Sequence, residues 1–75
     1  MRLSELLLEL RQANVDVVGT WELRGQNGVI LGDPHKYFPY YTGPQYPVNC
    51  TNNRDPELSE AEVSAIRRRF GIAKK

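Results

Sequence analysis

Residues 58–72, LSEAEVSAIRRRFGI, constrain the fold more than any other stretch of this chain. They spell a helix with a marked start, a marked stop and one apolar face. Ser59 is an N-cap whose hydroxyl can accept from an orphan amide of the first turn, and Glu62 three residues on completes a capping box. Leu58 and Val63 flank the cap as a hydrophobic staple. Glu60 and Glu62 place negative charge at the positive end of the helix dipole, and Arg67, Arg68 and Arg69 place positive charge at the other. Gly71 suits a left-handed C′ position, after which Ile72 folds back toward Ile66. Val63, Ile66 and Phe70 form the inward stripe, so the rest of the chain must supply a surface for that stripe to cover.

A second helix is expected over residues 4–14, with Ser4 as its cap, Glu5 in its first turn and Asn14 as a left-handed stop. Leu3, Leu6, Leu7 and Leu10 recur at helical spacing. Leu8 lies about 140° from Leu3 and off the stripe, which leaves either a lone exposed leucine or a contact for a homodimer. From Val15 the period changes to two: Val15 and Val17 alternate with Asp16, and Trp21 and Leu23 with Glu22. Gly19 interrupts this strand, and a β-bulge is expected there. Residues 24–28 carry turn chemistry, including the pair Asn27-Gly28, and residues 28–31 make the second strand of a hairpin. Gly25 and Gly28 are read as turn glycines, since their spacing is too loose for a phosphate loop.

Residues 32–47, GDPHKYFPYYTGPQYP, hold four of the five prolines, all four tyrosines, Phe38 and the only histidine. Pro39 and Pro44 disfavour a central strand, so residues 36–41 are expected as an edge strand or loop, followed by a Gly43-Pro44 turn and a short strand over residues 45–49. Such a stretch is long for a small domain, and long irregular segments often carry function. Two readings stand. The rings of Tyr37, Phe38, Tyr40, Tyr41 and Tyr46 enlarge a small core, or they contact a protein or unpaired bases, with Lys36 beside them. Residues 50–57 form a polar loop, and Pro56 keeps Asp55 out of a helix. Residues 73–75 are expected to fray.

This order predicts a single α+β domain over residues 1–75: a two-layer α-β-β-(β)-α sandwich with two helices on one face of an antiparallel sheet. Its expected core joins the helix stripes to Val15, Val17, Trp21 and some of Val29, Ile30 and Leu31. Seventy-five residues lie near the lower limit for one self-supporting core. The net charge of +1 does not by itself imply a nucleic-acid or membrane partner. Cys50 is the only cysteine, so no internal disulfide staples the chain. No metal-ligand spacing surrounds it, and neither a metal nor another cofactor is expected. Asn49-Cys50-Thr51 spells a glycosylation acceptor, read as chance because no leader is recognised. No apolar run reaches the roughly 20 residues of a membrane span, and a cytoplasmic location is expected.

Chemistry is sparse. His35, beside Asp33 and Lys36, is the one candidate general acid or base, and its other reading is a solvated loop histidine. Arg67 and Arg69 flank opposite sides of the apolar stripe and Arg68 points away from it, so the three do not form one tight patch. With Lys74 and Lys75 they make a basic end that serves either the helix dipole or phosphates. A helix-turn-helix reading lacks a close preceding helix.

Residues 57–72, ELSEAEVSAIRRRFGI, resemble the C-terminal helix of HicA-type toxins, small ribonucleases of bacterial toxin–antitoxin systems. Residues 4–18, SELLLELRQANVDVV, resemble that family's first helix and its turn into strand one. The resemblance implies a double-stranded-RNA-binding-like α-β-β-β-α fold, an RNA substrate and an antitoxin partner. The family carries a Gly-Ser-His motif after strand one, with the histidine catalytic. The matching place here reads Gly25-Gln26-Asn27, and His35 does not sit at the motif. Two functional expectations follow. One is a non-catalytic binding module that contacts a protein or RNA through the aromatic loop and the basic helix end. The other is a HicA-type endoribonuclease that cleaves mRNA, with His35 as a displaced catalytic group.

Overall fold

The computed structural model describes residues 1–36 and 43–72. Its elements run α1 (Leu3–Gln12), β1 (Asp16–Leu23), β2 (Gln26–Gly32), a single 3-10 turn (Pro34–Lys36), β3 (Tyr46–Asn49) and α2 (Glu60–Arg69). The three strands form one antiparallel sheet in the order β1-β2-β3. The α+β class and the α-β-β-β-α layout are those expected from the periods. The expected edge strand or loop over residues 36–41 falls, beyond Lys36, outside the described residues.

Leu3, Leu6 and Leu10 of α1 and Val63 and Ile66 of α2 share one buried cluster with Leu31 of β2 and Val48 of β3. That cluster places both helices on the same face of the sheet. Val15, Cys50 and Leu58, each just outside an element, complete it, and no polar side chain is buried among the described residues. Val48, Cys50 and Leu58 were not among the residues expected in the core.

Both helices stop in the same way. Gly71 has φ +68° and Asn14 φ +63°. After α2 the Gly71 amide donates to the Arg68 carbonyl at 3.3 Å and the Ile72 amide to that of Arg67 at 2.8 Å. After α1 the Asn14 amide donates to Arg11 at 3.1 Å and the Val15 amide to Leu10 at 2.9 Å. These are paired Schellman bonds, and each sends the following apolar residue, Ile72 or Val15, back onto the core.

The two starts differ. Ser59 caps α2 as expected, its hydroxyl accepting from the Glu62 amide at 3.2 Å. Ser4 does not cap α1; Arg2 holds that position and Ser4 lies inside the first turn. The chain before α1 is drawn against the chain before α2: Arg2 bridges Glu57, Leu3 N–H donates to Pro56 O, and Leu58 N–H donates to Met1 O. Asp55 then caps α1 from 51 residues away, its two oxygens accepting from the Ser4 amide and hydroxyl, each at 2.8 Å. A local reading of the sequence cannot see a cap donated by a distant loop.

The Ser4 amide and hydroxyl hold the Asp55 carboxyl below its ordinary value of 3.8, with Arg2 adding to the effect. A carboxyl depressed in the folded state stabilises the fold above its unfolded pKa, and that stability is lost as pH falls through the folded value. Wild-type melting temperature is therefore expected to drop as pH falls below about 4. Asp55→Asn is expected to melt lower at pH 7 and to lose less on acidification, checked by circular dichroism melts across that range.

The bulge in β1 decides which side chains reach the core. Val17 pairs with Leu31 and Gly19 with Ile30, so Val18 is the extra residue. After it the phase reverses. Trp21 stands opposite Gly28, three residues from Leu31, and alternation assigns those positions to opposite faces. Trp21 and Ile30 are accordingly outside the core cluster, whereas Val17, which precedes the bulge and pairs with Leu31, is left 37% exposed for a reason the bulge does not supply. The hairpin turn is also tighter than expected. Leu23 pairs with Gln26, leaving a two-residue turn of Arg24 (φ +50°) and Gly25 (φ +80°). Two successive left-handed residues make the primed turn that matches strand twist. Asn27 and Gly28 thus lie within β2.

Candidate functional site

Two recesses gather polar and aromatic side chains. The first lies between the start of β3 and α2, a shallow groove of about 280 Å³ lined by Tyr46, Ala65, Arg68 and Arg69. Ala65, Arg68 and Arg69 are spaced i, i+3, i+4, which makes them neighbours on one helical surface. The small side chain of Ala65 leaves the groove open. Tyr46 is half-buried against the core, which anchors its ring beside the two guanidinium groups. Arg68 and Arg69 are exposed, and neither forms an ion pair among the described residues.

Arg67 is a different case. Its Nε and Nη2 donate to the Glu9 carboxylate at 2.8 and 2.7 Å, a two-pronged bond that ties α2 to α1. Glu9 accordingly raises the guanidinium above its ordinary pKa. The expected splay of three arginines therefore resolves into one cation spent on a helix–helix clamp and two that share a groove with Tyr46.

The second recess is a cleft of about 580 Å³ between the hairpin and the loop after β3. Trp21, Glu22, Asn27, Val29, Cys50 and Arg54 are among its lining residues. The Trp21 ring crosses β2 at Gly28: a Cβ there would lie 2.6 and 2.7 Å from the indole Nε1 and Cε2 and would overlap the Val48 carbonyl oxygen. The indole N–H is buried without a hydrogen-bond partner. Cys50, which also belongs to the core cluster, lines the cleft, its thiol 3.8 Å from the Val48 carbonyl oxygen. Sequence reasoning missed this cleft. Its residues come from two segments, and Asn27-Gly28, the one local signal, has the spelling of a turn.

The remaining expected site residues lie apart. His35 and Lys36 are exposed on the 3-10 turn, where the His35 amide donates to Asp33 Oδ1 at 2.9 Å. No group of three or more His, Cys, Asp or Glu suited to a metal occurs among the described residues. Tyr37, Phe38, Tyr40 and Tyr41 lie outside the described residues, as do Lys74 and Lys75. Leu8 is 64% exposed, and its neighbours one turn away on α1 (Ser4, Glu5, Arg11 and Gln12) are polar, so no apolar patch surrounds it. No helix among the described residues is long and apolar enough to cross a membrane.

Compared with known proteins, the chain matches no family model, no curated protein and no solved structure.

Proposed function

We propose that this protein is a non-catalytic binding module that holds single-stranded RNA along the groove between β3 and α2. The observation that carries the proposal is the placement of two unpaired arginines, Arg68 and Arg69, beside the anchored ring of Tyr46. Guanidinium groups meet phosphates, and an aromatic ring offers a face to a base regardless of its identity. The HicA-like ends of the chain favour an RNA ligand. The ribonuclease reading has less support: Asn27 stands where the family's histidine would be, and the backbone of Asn27 is already engaged with Thr51. His35 sits on an exposed turn, away from that position. An antitoxin-like protein partner is the competing reading of the same groove.

A binding titration with an unstructured RNA oligomer tests this. Each phosphate neutralised on a single strand contributes about −0.7 to the slope of log K against log salt. Two contacts predict an affinity loss of about sevenfold between roughly 50 and 200 mM salt. Arg68→Ala/Arg69→Ala is expected to remove most of that dependence. Absence of binding at low salt, or binding untouched by the double substitution, would reject the RNA reading.

A further inference from the structure

We propose that the free edge of β1 pairs antiparallel with β1 of a second copy of this chain, joining the two sheets edge to edge. β1 and β3 are the outer strands of the sheet. An unpaired strand edge is a template for another strand.

The direction of the β1 backbone groups follows from Asn27. Its amide donates to the Thr51 hydroxyl at 3.0 Å and its carbonyl accepts from the Cys50 amide at 2.8 Å, both on the side away from β1. Glu22, opposite Asn27, is therefore in a non-hydrogen-bonded pair, and its own N–H and C=O point away from β2. Alternation gives Thr20 the same direction. Outside the β1–β2 ladder, no backbone hydrogen bond among the described residues reaches Thr20 or Glu22. Both residues are exposed.

The other edge is closed. The same alternation turns Pro47, opposite Ile30, outward on β3, and proline has no N–H to offer an added strand. β1 carries neither proline nor lysine, the residues that guard edges. Its bulge between Val17 and Gly19 interrupts only the first part of the strand.

The shape of that edge selects a second copy. Regular pairing is bounded by the bulge on one side and by the Arg24-Gly25 turn on the other, which leaves residues 19–23. A two-fold axis at Trp21 pairs this segment with itself over its whole length. Thr20 then exchanges both backbone bonds with Glu22 of the second copy, and Glu22 does so with Thr20, so every outward group of the two residues is satisfied. The side chains agree. Leu23, 65% exposed, falls opposite Gly19, where no side chain competes for its place. Thr20 falls opposite Glu22, whose carboxylate accepts from a hydroxyl. The Trp21 ring leans over Gly28 of its own β2, clear of the axis. The neighbouring registers are worse. One sets Glu22 directly against Glu22, and the other sets Glu22 against Val18 in the bulge, where the ladder is broken.

The RNA groove plays no part in this pairing, since Tyr46, Arg68 and Arg69 belong to β3 and α2. So short a paired segment makes a small, transient interface, with Kd expected below about 1 mM. Sedimentation equilibrium should show a mass rising with concentration from 8.6 kDa toward twice that value. Hydrogen exchange at the Thr20 and Glu22 amides should slow over the same range. Thr20→Pro removes an N–H that bonds nothing within the chain, a change an edge strand tolerates, and should weaken the dimer at least about tenfold. Should that variant not fold, Leu23→Lys, at an exposed site, decides the matter with an expected weakening of about fivefold. Leu8→Lys and Arg68→Ala/Arg69→Ala should leave the dimer intact. A chain that stays monomeric at about 1 mM overturns the proposal. So does a dimer that survives Leu23→Lys unchanged, or one that is lost in Leu8→Lys.

Discussion

Ile66→Ala is expected to lower the unfolding free energy by about 2–5 kcal/mol. Ile66 has no exposed surface and lies in the cluster where α2 meets Leu31 and Val48. Truncation removes the transfer free energy of its lost methyl and methylene groups and leaves a cavity that a tightly packed interior fills only in part. A domain of this length has a total stability of roughly 4–11 kcal/mol, so one such change removes a large share of it. Urea denaturation followed by circular dichroism should show a lower midpoint at an unchanged slope, because the surface exposed on unfolding is nearly the same. Leu8→Ala is the matched control on an exposed site, with an expected change within about 0.5 kcal/mol. A loss under about 1 kcal/mol at Ile66 would contradict the packing described above.

Gly28→Val should be comparably damaging for a different reason. A Cβ at position 28 would overlap the Val48 carbonyl oxygen, which is backbone and cannot swing away, and would press on the Trp21 indole. Relieving the backbone overlap requires β2 and β3 to separate, and relieving the contact with the indole requires Trp21 to leave its place. Overpacking of this kind costs about 1–3 kcal/mol, and more where the obstacle is backbone. Near-ultraviolet circular dichroism should change along with the melting temperature, since the sole tryptophan must move. Gly25→Ala separates space from conformation. Gly25 has φ +80° with nothing within 4 Å of a Cβ, so only the left-handed penalty of about 1–2 kcal/mol applies. If Gly28→Val melted like wild type, the seating of Trp21 and the cleft it walls would both be wrong.

The candidate sites were legible to different degrees. Tyr46, Arg68 and Arg69 could be named from composition and charge, but not their meeting in one groove, which depends on β3 delivering Tyr46 to the face of α2 that carries Ala65. In sequence Arg67 and Arg69 both flank the apolar stripe, with nothing local to tell them apart. Only the packing of α1 against α2 puts Glu9 within its reach. The cleft around Trp21 was not legible at all. It forms where a hairpin residue pair, Asn27 and Gly28, meets Cys50 and Arg54 from more than 20 positions along the chain.

Short-range information determined much of this protein. Helical spacing marked the buried faces of α1 and α2, Ser59 started α2, and Asn14 and Gly71 stopped the two helices, because each of these rests on contacts within one or two turns. The bulge at Gly19 was equally visible, since a glycine that breaks alternation is a local event. Its consequence was not. One extra residue reverses the phase of everything after it, and whether Trp21 lies inside or outside the core depends on its pairing with Gly28, three residues from the core residue Leu31, across the sheet. Tertiary structure likewise decided the α1 cap, where Asp55 supplies the acceptor expected from Ser4, and the burial of Val48, Cys50 and Leu58. In each case the deciding partner lies far along the chain, and a local pattern carries no information about a distance closed only by folding.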